Sequence, residues 1–389
     1  MTTSRTARFL GAALLLALAP LRASATPHVV PIEISVFVYD LFAAEPDCAH
    51  IRERLQALPL RSTVLLSVEQ GPEFLPDSSA GQQRLRCALT FLRAHGRRVK
   101  ALLLQDTTFL DTPNEAARRM AALARFSRSA GGFAGAVLDI EPYLHRDWEC
   151  GTVGDRRALA MRYLELVKQV RRAVAPLTVE VAVPAWWAEQ SEVPELQPEQ
   201  LFRATDGVYV MLYGDPGGPL VGGSVERIAE RIPASGGFFG SGSGSSAKRA
   251  SQPRVHLVLA PYELSSPAEM EAQLAALRQR YAGARGFAGV SLFHAAATYN
   301  APLVRMLSGS VLDERGERLH GATVVSAELK AESDDCGNFS LRDVKTEAVR
   351  LEVRKAGYRT ASVEVKLAPA GQVTELPPIH LVAQNETDK

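Results

Sequence analysis

Asp139 and Glu141 stand two residues apart at the end of the run Phe133-Ala-Gly-Ala-Val-Leu-Asp139-Ile-Glu141-Pro-Tyr143. The run reads as a buried strand. Side chains alternate along a strand, so Val137, Asp139 and Glu141 share one face, and Ala136, Leu138 and Ile140 share the other. Unpaired charge is costly to bury, so apolar packing does not explain two acids on one face of a core strand. Acid–base chemistry does. A neighbouring carboxylate and partial burial raise a carboxyl pKa, so that the group holds a proton near neutral pH. The competing explanation is an ion pair with an inward Arg or Lys, and no other strand obviously supplies one.

The ends of the other apolar runs carry Tyr39 and Asp40, Glu69, Gln105 and Asp106, Trp186 and Trp187, Tyr213 and Asp215, Tyr262 and Glu263, and Phe293 and His294. Acids beside large aromatics suit a sugar-binding cleft: flat apolar faces meet the rings, and carboxylates meet hydroxyls and move protons. Glu141, Asp139 and Tyr213 are the catalytic candidates. Tyr39, Glu69, Asp106, Trp186, Asp215 and Tyr262 are the substrate-binding candidates. Simpler roles compete for several of them. Glu69 and Glu263 could be solvated rim acids, Asp106 and Asp215 could cap helices, and one of Trp186 and Trp187 belongs to the core.

Positioning these groups on one rim requires a particular architecture. Apolar runs of strand length recur at 34–40, 63–69, 99–106, 136–141, 179–187, 207–213, 255–262 and 289–294. Between them, helical periodicity covers 48–58, 82–94, 114–129, 156–175, 198–203, 224–231 and 267–281. Strands alternating with helices predict a parallel sheet, and eight such strands close into a (β/α)8 TIM barrel, whose active site lies at the strands' C-terminal ends. A doubly wound sheet would want a glycine-rich phosphate loop after its first strand, and Tyr39-Asp-Leu-Phe is not one. Residue parity turns Glu180, Ala182, Trp186, Tyr209, Met211, Tyr213, Tyr262, Ser291 and Phe293 inward, and leaves His294 off the inner face. The Gly/Ser-rich stretch 234–253 precedes the seventh strand and reads as a flexible loop on the face opposite the site. After residue 306 short strands broken by turns, such as Asp313-Glu-Arg-Gly316, predict a small antiparallel all-β sandwich.

The 389 residues suffice for one barrel plus a module, and 46% apolar content supplies their cores. A formal net charge of +1 and the lack of a basic stripe argue against nucleic acid or an anionic membrane as partner. Arg5 and Arg8, the apolar run Phe9–Ala19 and Ala23-Ser24-Ala25 read as an export signal over 1–25, which places the mature chain in the periplasm or outside the cell. No later stretch approaches the ~20 apolar residues of a membrane span. Export permits disulfides among Cys48, Cys87, Cys150 and Cys336. The first two fall in successive predicted helices, but four cysteines allow three pairings. No spacing suggests a metal site, so neither metal nor cofactor is expected.

Two resemblances follow from these residues. Gly309 to Gly316, Gly321-Ala-Thr-Val, Asp335-Cys-Gly337-Asn-Phe339 and Gly357-Tyr358 resemble the carboxypeptidase regulatory-like domain. That implies a transthyretin-like sandwich over 308–383 and no catalysis. The barrel, 30–306, resembles chitinase-like glycoside hydrolases of family 18, whose fourth strand reads D-G-x-D-x-D-x-E. Glu141 matches the terminal acid, Asp139 the carboxylate before it and Gly135 the glycine, while Met211-Leu-Tyr213 matches an M-x-Y motif on the sixth strand. The resemblance implies a glycosidase acting on a polysaccharide or oligosaccharide. Glu141 would protonate the glycosidic oxygen, Asp139 would orient an N-acetyl group that attacks in place of a protein nucleophile, and Tyr213 would bond that group. Val137 and Ala134 stand where the family has its other two acids, Gly214 follows Tyr213 where it has Asp, and Phe293 stands near the place of its floor Trp. A non-catalytic carbohydrate-binding or structural surface protein on the same barrel is the alternative.

Overall fold

The computed structural model describes residues 33–384 apart from 59–60, 190, 213–253, 262–265, 282–283, 285, 294–304, 328 and 369–372. The export signal expected over 1–25, the helix expected over 224–231, the Gly/Ser-rich stretch and His294 lie outside the described residues.

Eight parallel strands close into a barrel in chain order: β1 (Glu33–Val38), β2 (Thr63–Ser67), β3 (Arg98–Leu103), β4 (Gly135–Leu138), β5 (Thr178–Pro184), β6 (Gly207–Met211), β7 (Arg254–Leu259) and β8 (Phe287–Leu292), with β8 pairing back onto β1. Helices α1 (Cys48–Ala57), α2 (Ser79–Ala94), α3 (Pro113–Ala130), α4 (Arg146–Glu149), α5 (Val153–Val174), α6 (Pro198–Ala204) and α7 (Pro267–Tyr281) stand between strands. Their starts are set locally. Asp47 accepts the amides of Ala49 and His50, Ser78 accepts that of Gly81, and Thr152 with Asp155 forms a capping box. Pro113 opens α3, and Gly131, at φ +71°, closes it.

Alternation along the strands divides two apolar layers. Ala136 and Leu138, Val179, Val181 and Val183, Val208 and Val210, and Val255, Leu257 and Leu259 pack outward against the helices. Phe37, Leu65, Leu102, Val137, Ala182, Tyr209, Met211 and Val258 fill the interior. Gly135 sits where β4 approaches β5 closely: a Cβ there would fall 2.3 Å from Thr178 Oγ1 and 3.1 Å from its carbonyl oxygen.

Toward the strand starts the interior is polar. Lys100 and Glu180 are fully buried, and Lys100 Nζ donates to Glu180 Oε2 at 2.5 Å and to Tyr209 Oη at 2.9 Å. His256 stacks on Tyr209 with centroids 4.4 Å apart. An inward lysine thus exists on β3, but it pairs with Glu180 and not with the acids of β4.

A second core belongs to the C-terminal sandwich. Its strands are β9 (Arg305–Asp313), β10 (Thr323–Val325), β11 (Lys330–Glu332), β12 (Asn338–Val344), β13 (Ala348–Arg354), β14 (Ala361–Lys366), β15 (Val373–Glu375) and β16 (Ile379–Leu381). One sheet runs β11–β10–β13–β14. In the other, β9 pairs with β12, β15 and β16. Its pairings with β15 and β16 are parallel, which three-residue strands made too weak a pattern to foresee. The turns behave as their sequences require. Asp313 Oδ1 accepts the amides of Arg315 and Glu317, and Gly316 takes φ +82°.

Candidate active site

Asp139 and Glu141 follow β4 directly, on the inner face that Val137 occupies one step deeper. Each is partly buried at the C-terminal end of the barrel. The Asp139 amide donates to the Leu103 carbonyl at 3.1 Å, which extends the β3–β4 pairing by one bond. Tyr39, just past β1, donates from its hydroxyl to Asp139 Oδ2 at 3.0 Å. Glu141 is hydrogen-bonded to Tyr143. Among the described residues neither acid forms an ion pair with a cation.

Burial opposes the charge on Asp139, the Tyr39 hydrogen bond partly offsets it, and the Glu69 carboxylate adds repulsion; the pKa rises to about 6. Glu141 is pushed up to about 7, first by burial and then by the charge of Asp139. Burial and the two acids also raise the phenols of Tyr143 and Tyr163, which therefore stay neutral.

An aromatic wall stands beside the pair. Tyr143 meets Trp186 edge-on at 5.5 Å, and Trp186 lies 6.1 Å from Trp148 and 6.3 Å from Trp187. Trp187 is fully buried and belongs to the core, whereas Trp186 keeps partial exposure. Tyr39 packs against Phe37 and Phe293 at 6.0 and 5.4 Å on the other side of the barrel mouth.

The remaining candidates divide. Glu69 reaches the rim, but both oxygens have protein partners: Oε1 accepts from Arg119 at 2.7 Å and Oε2 from the Gln105 amide at 3.2 Å. Asp106 is exposed and caps the short 3₁₀ turn Thr107–Leu110 by accepting the Thr108 amide at 2.8 Å. Tyr213, Asp215 and Tyr262 lie outside the described residues. Sequence reasoning missed Arg119 and Tyr163. Arg119 sits on a helix face 50 residues from Glu69, and no pattern announced the pairing. Glu149, Asp334 and Cys336 place ligand-type atoms within 4.8 Å of one another, but the Cys336 sulfur is bonded to Cys150 and offers no thiolate.

All four cysteines are paired, Cys48 with Cys87 and Cys150 with Cys336. No described helix is long and apolar enough to cross a membrane.

Residues 306–381 match the carboxypeptidase regulatory-like domain, so the C-terminal sandwich is one. No curated protein matches the chain. Among solved structures, the chain is similar to a GH18 chitinase from Pseudoalteromonas aurantia at 11% identity, over 67% of this chain and 93% of that one, with a TM-score of 0.42. It is also similar to a modular endo-beta-1,4-mannanase of glycoside hydrolase family 26 from Cellulomonas fimi, at 11% identity over 89% and 94% of the two chains, TM-score 0.41. A type II cohesin–X-dockerin complex from Acetivibrio cellulolyticus matches at 21% identity over 20% of this chain, TM-score 0.17, and the chain spans 58% of that structure's length.

Proposed function

We propose that the protein is an exported glycoside hydrolase of the family 18 type, acting on a polysaccharide with Glu141 as general acid. One observation carries the reading: two partly buried carboxylates at the barrel mouth, without a cation among the described residues, beside an aromatic wall. A carboxyl near 7 holds its proton at neutral pH and can release it to a glycosidic oxygen as the bond breaks. Asp139, ionising first, stands next to the positive charge that develops at the sugar carbon. Trp186 offers a face for a sugar ring, and Tyr39 holds Asp139 in place. Tyr213, Asp215 and Tyr262, outside the described residues, stay site candidates on the sequence pattern alone. Export is supported by the sequence of residues 1–25 and by the use of every cysteine in a disulfide.

The test is hydrolysis of a panel of soluble polysaccharides, amino-sugar polymers included, read as new reducing ends. Wild type cleaves at least one of them, and kcat/KM falls as pH rises through about 7. Glu141→Gln loses about 100-fold or more. Unchanged turnover in the variant, or none in wild type, sinks the reading.

One observation favours the second reading, a non-catalytic carbohydrate-binding protein. Val137 is wholly buried among Phe37, Leu65 and Leu102, so no acid lies beneath Asp139 on β4 to share its proton. Oligosaccharide binding without turnover would select it.

A further inference from the structure

The ends of β1 to β4 are tied into a closed belt of hydrogen bonds. Gln70 Nε2 donates to the Tyr39 carbonyl at 2.9 Å. Its neighbour Glu69 accepts the Gln105 amide, and Gln105 Nε2 donates to Ser67 Oγ at 2.9 Å. Gln105 follows β3, whose Leu103 carbonyl accepts the Asp139 amide. Tyr39 Oη closes the circuit on Asp139.

Helix α3 anchors this belt. The Arg119 guanidinium carbon lies 5.3 Å from the Phe74 ring centre and 4.8 Å from that of Phe109. From there it donates to Glu69 and, through Nε, to Glu115 at 3.0 Å. The side chains of Arg119 and Glu69 are 14% and 8% exposed, so the pair is little screened and keeps one geometry, unlike a surface ion pair.

We propose that Glu69, held by Arg119, is a positioning residue for the Asp139–Glu141 pair: a fixed carboxylate from the end of β2 acts on Asp139 where β4 itself offers only Val137. The proposal rests on the reading of Asp139 and Glu141 as the reacting acids. The titratable groups around Asp139 are Tyr39 just past β1, Glu69 just past β2, Glu141 and Tyr143 from its own segment, and Tyr163 from α5. Tyr143 and Tyr163 stay neutral and Glu141 still holds its proton as Asp139 ionises, so Glu69 is the charge that acts on it. The belt also fixes the Tyr39 backbone, and with it the hydroxyl that bonds Asp139.

Carbon-13 NMR titration of the side-chain carboxyls reads Asp139 without turnover, its resonance being assigned by its loss in Asp139→Asn. Glu69→Gln keeps the shape and removes the charge, and the Asp139 midpoint should move down by about half a pH unit or more. Arg119→Met removes the cation that offsets Glu69, and the midpoint should move up by about as much. Arg119→Lys, which keeps the charge, should stay near wild type. Shifts of opposite sign are not what a general loosening of the fold produces. An Asp139 midpoint that is the same in wild type, Glu69→Gln and Arg119→Met overturns the positioning role, whatever the activity. Both shifts present with no turnover on any polysaccharide sink the hydrolase reading alone.

Discussion

A carboxyl that keeps its proton near neutrality weakens the fold that holds it once the proton leaves. Glu141 is raised from 4.5 to about 7, chiefly by burial. Because the folded value lies above the ordinary one, the associated stability is complete below 4.5 and is lost as pH rises through about 7. Glu141→Gln cannot ionise. Its melting temperature should exceed that of wild type well above pH 7, and the two should converge below pH 4.5. Thermal melts at the two extremes check this, and a variant less stable at both would mean that Glu141 makes structural contacts beyond those described. The pair itself was legible, because strand alternation alone puts Asp139 and Glu141 on one face. The partners of Glu69 were not legible. A rim acid and a helix arginine carry no mutual signal until the fold brings them within 2.7 Å.

Among elements, alternation sorted the residues correctly within the described strands, but β5 ends at Pro184 and Ala185–Glu189 form a 3₁₀ turn, so parity does not reach Trp186, which packs against the outer core. Alternation turned Glu180, Tyr209, Met211, Ser291 and Phe293 inward, and the structure has Glu180 buried on Lys100, Ser35 bonded to Ser291, and Tyr209, Met211 and Phe293 in the inner cluster. What alternation left open is which inward polar groups meet. Lys100 and Glu180 come from strands 80 residues apart. Removing Lys100 leaves the buried Glu180 to the longer Arg254 contact at 3.9 Å, so Lys100→Met should cost about 3 kcal/mol of stability. Replacing both, as Lys100→Met with Glu180→Leu, should recover much of that loss. Urea unfolding of the two variants decides this, and equal losses in both would contradict a pairing role for Lys100.

At the scale of the whole molecule, two separate cores are joined covalently. One contains residues up to Leu292 and the other residues from Leu307 onward. Cys150, in the segment that links Glu141 to α5, bonds Cys336 in a turn of the sandwich, with Cα atoms 5.3 Å apart and 186 residues between them in sequence. Arg146 and Asp335 add an exposed ion pair at 3.6 Å, which contributes little. Closing so long a loop constrains the unfolded chain, so a Cys150→Ser, Cys336→Ser double variant should lose about 2–5 kcal/mol. Calorimetry should then resolve two transitions where the oxidised protein shows one. A single transition at the wild-type temperature would show that noncovalent contacts already join the two units.

Strand alternation, helix caps and turn glycines are properties of neighbouring residues, and neighbours are what a chain records directly. The eight-stranded barrel, the sandwich and the placing of two acids at the barrel mouth therefore follow from residue order. The disulfide pairing, the Lys100–Glu180 pair within the barrel, the Arg119–Glu69 tether and the depth of burial that lifts Glu141 to about 7 do not. The pair, the tether and the raised pKa depend on side chains from distant segments sharing a region of low dielectric, which only closing the barrel creates; the disulfides depend on which helices and turns the tertiary fold brings to bonding distance.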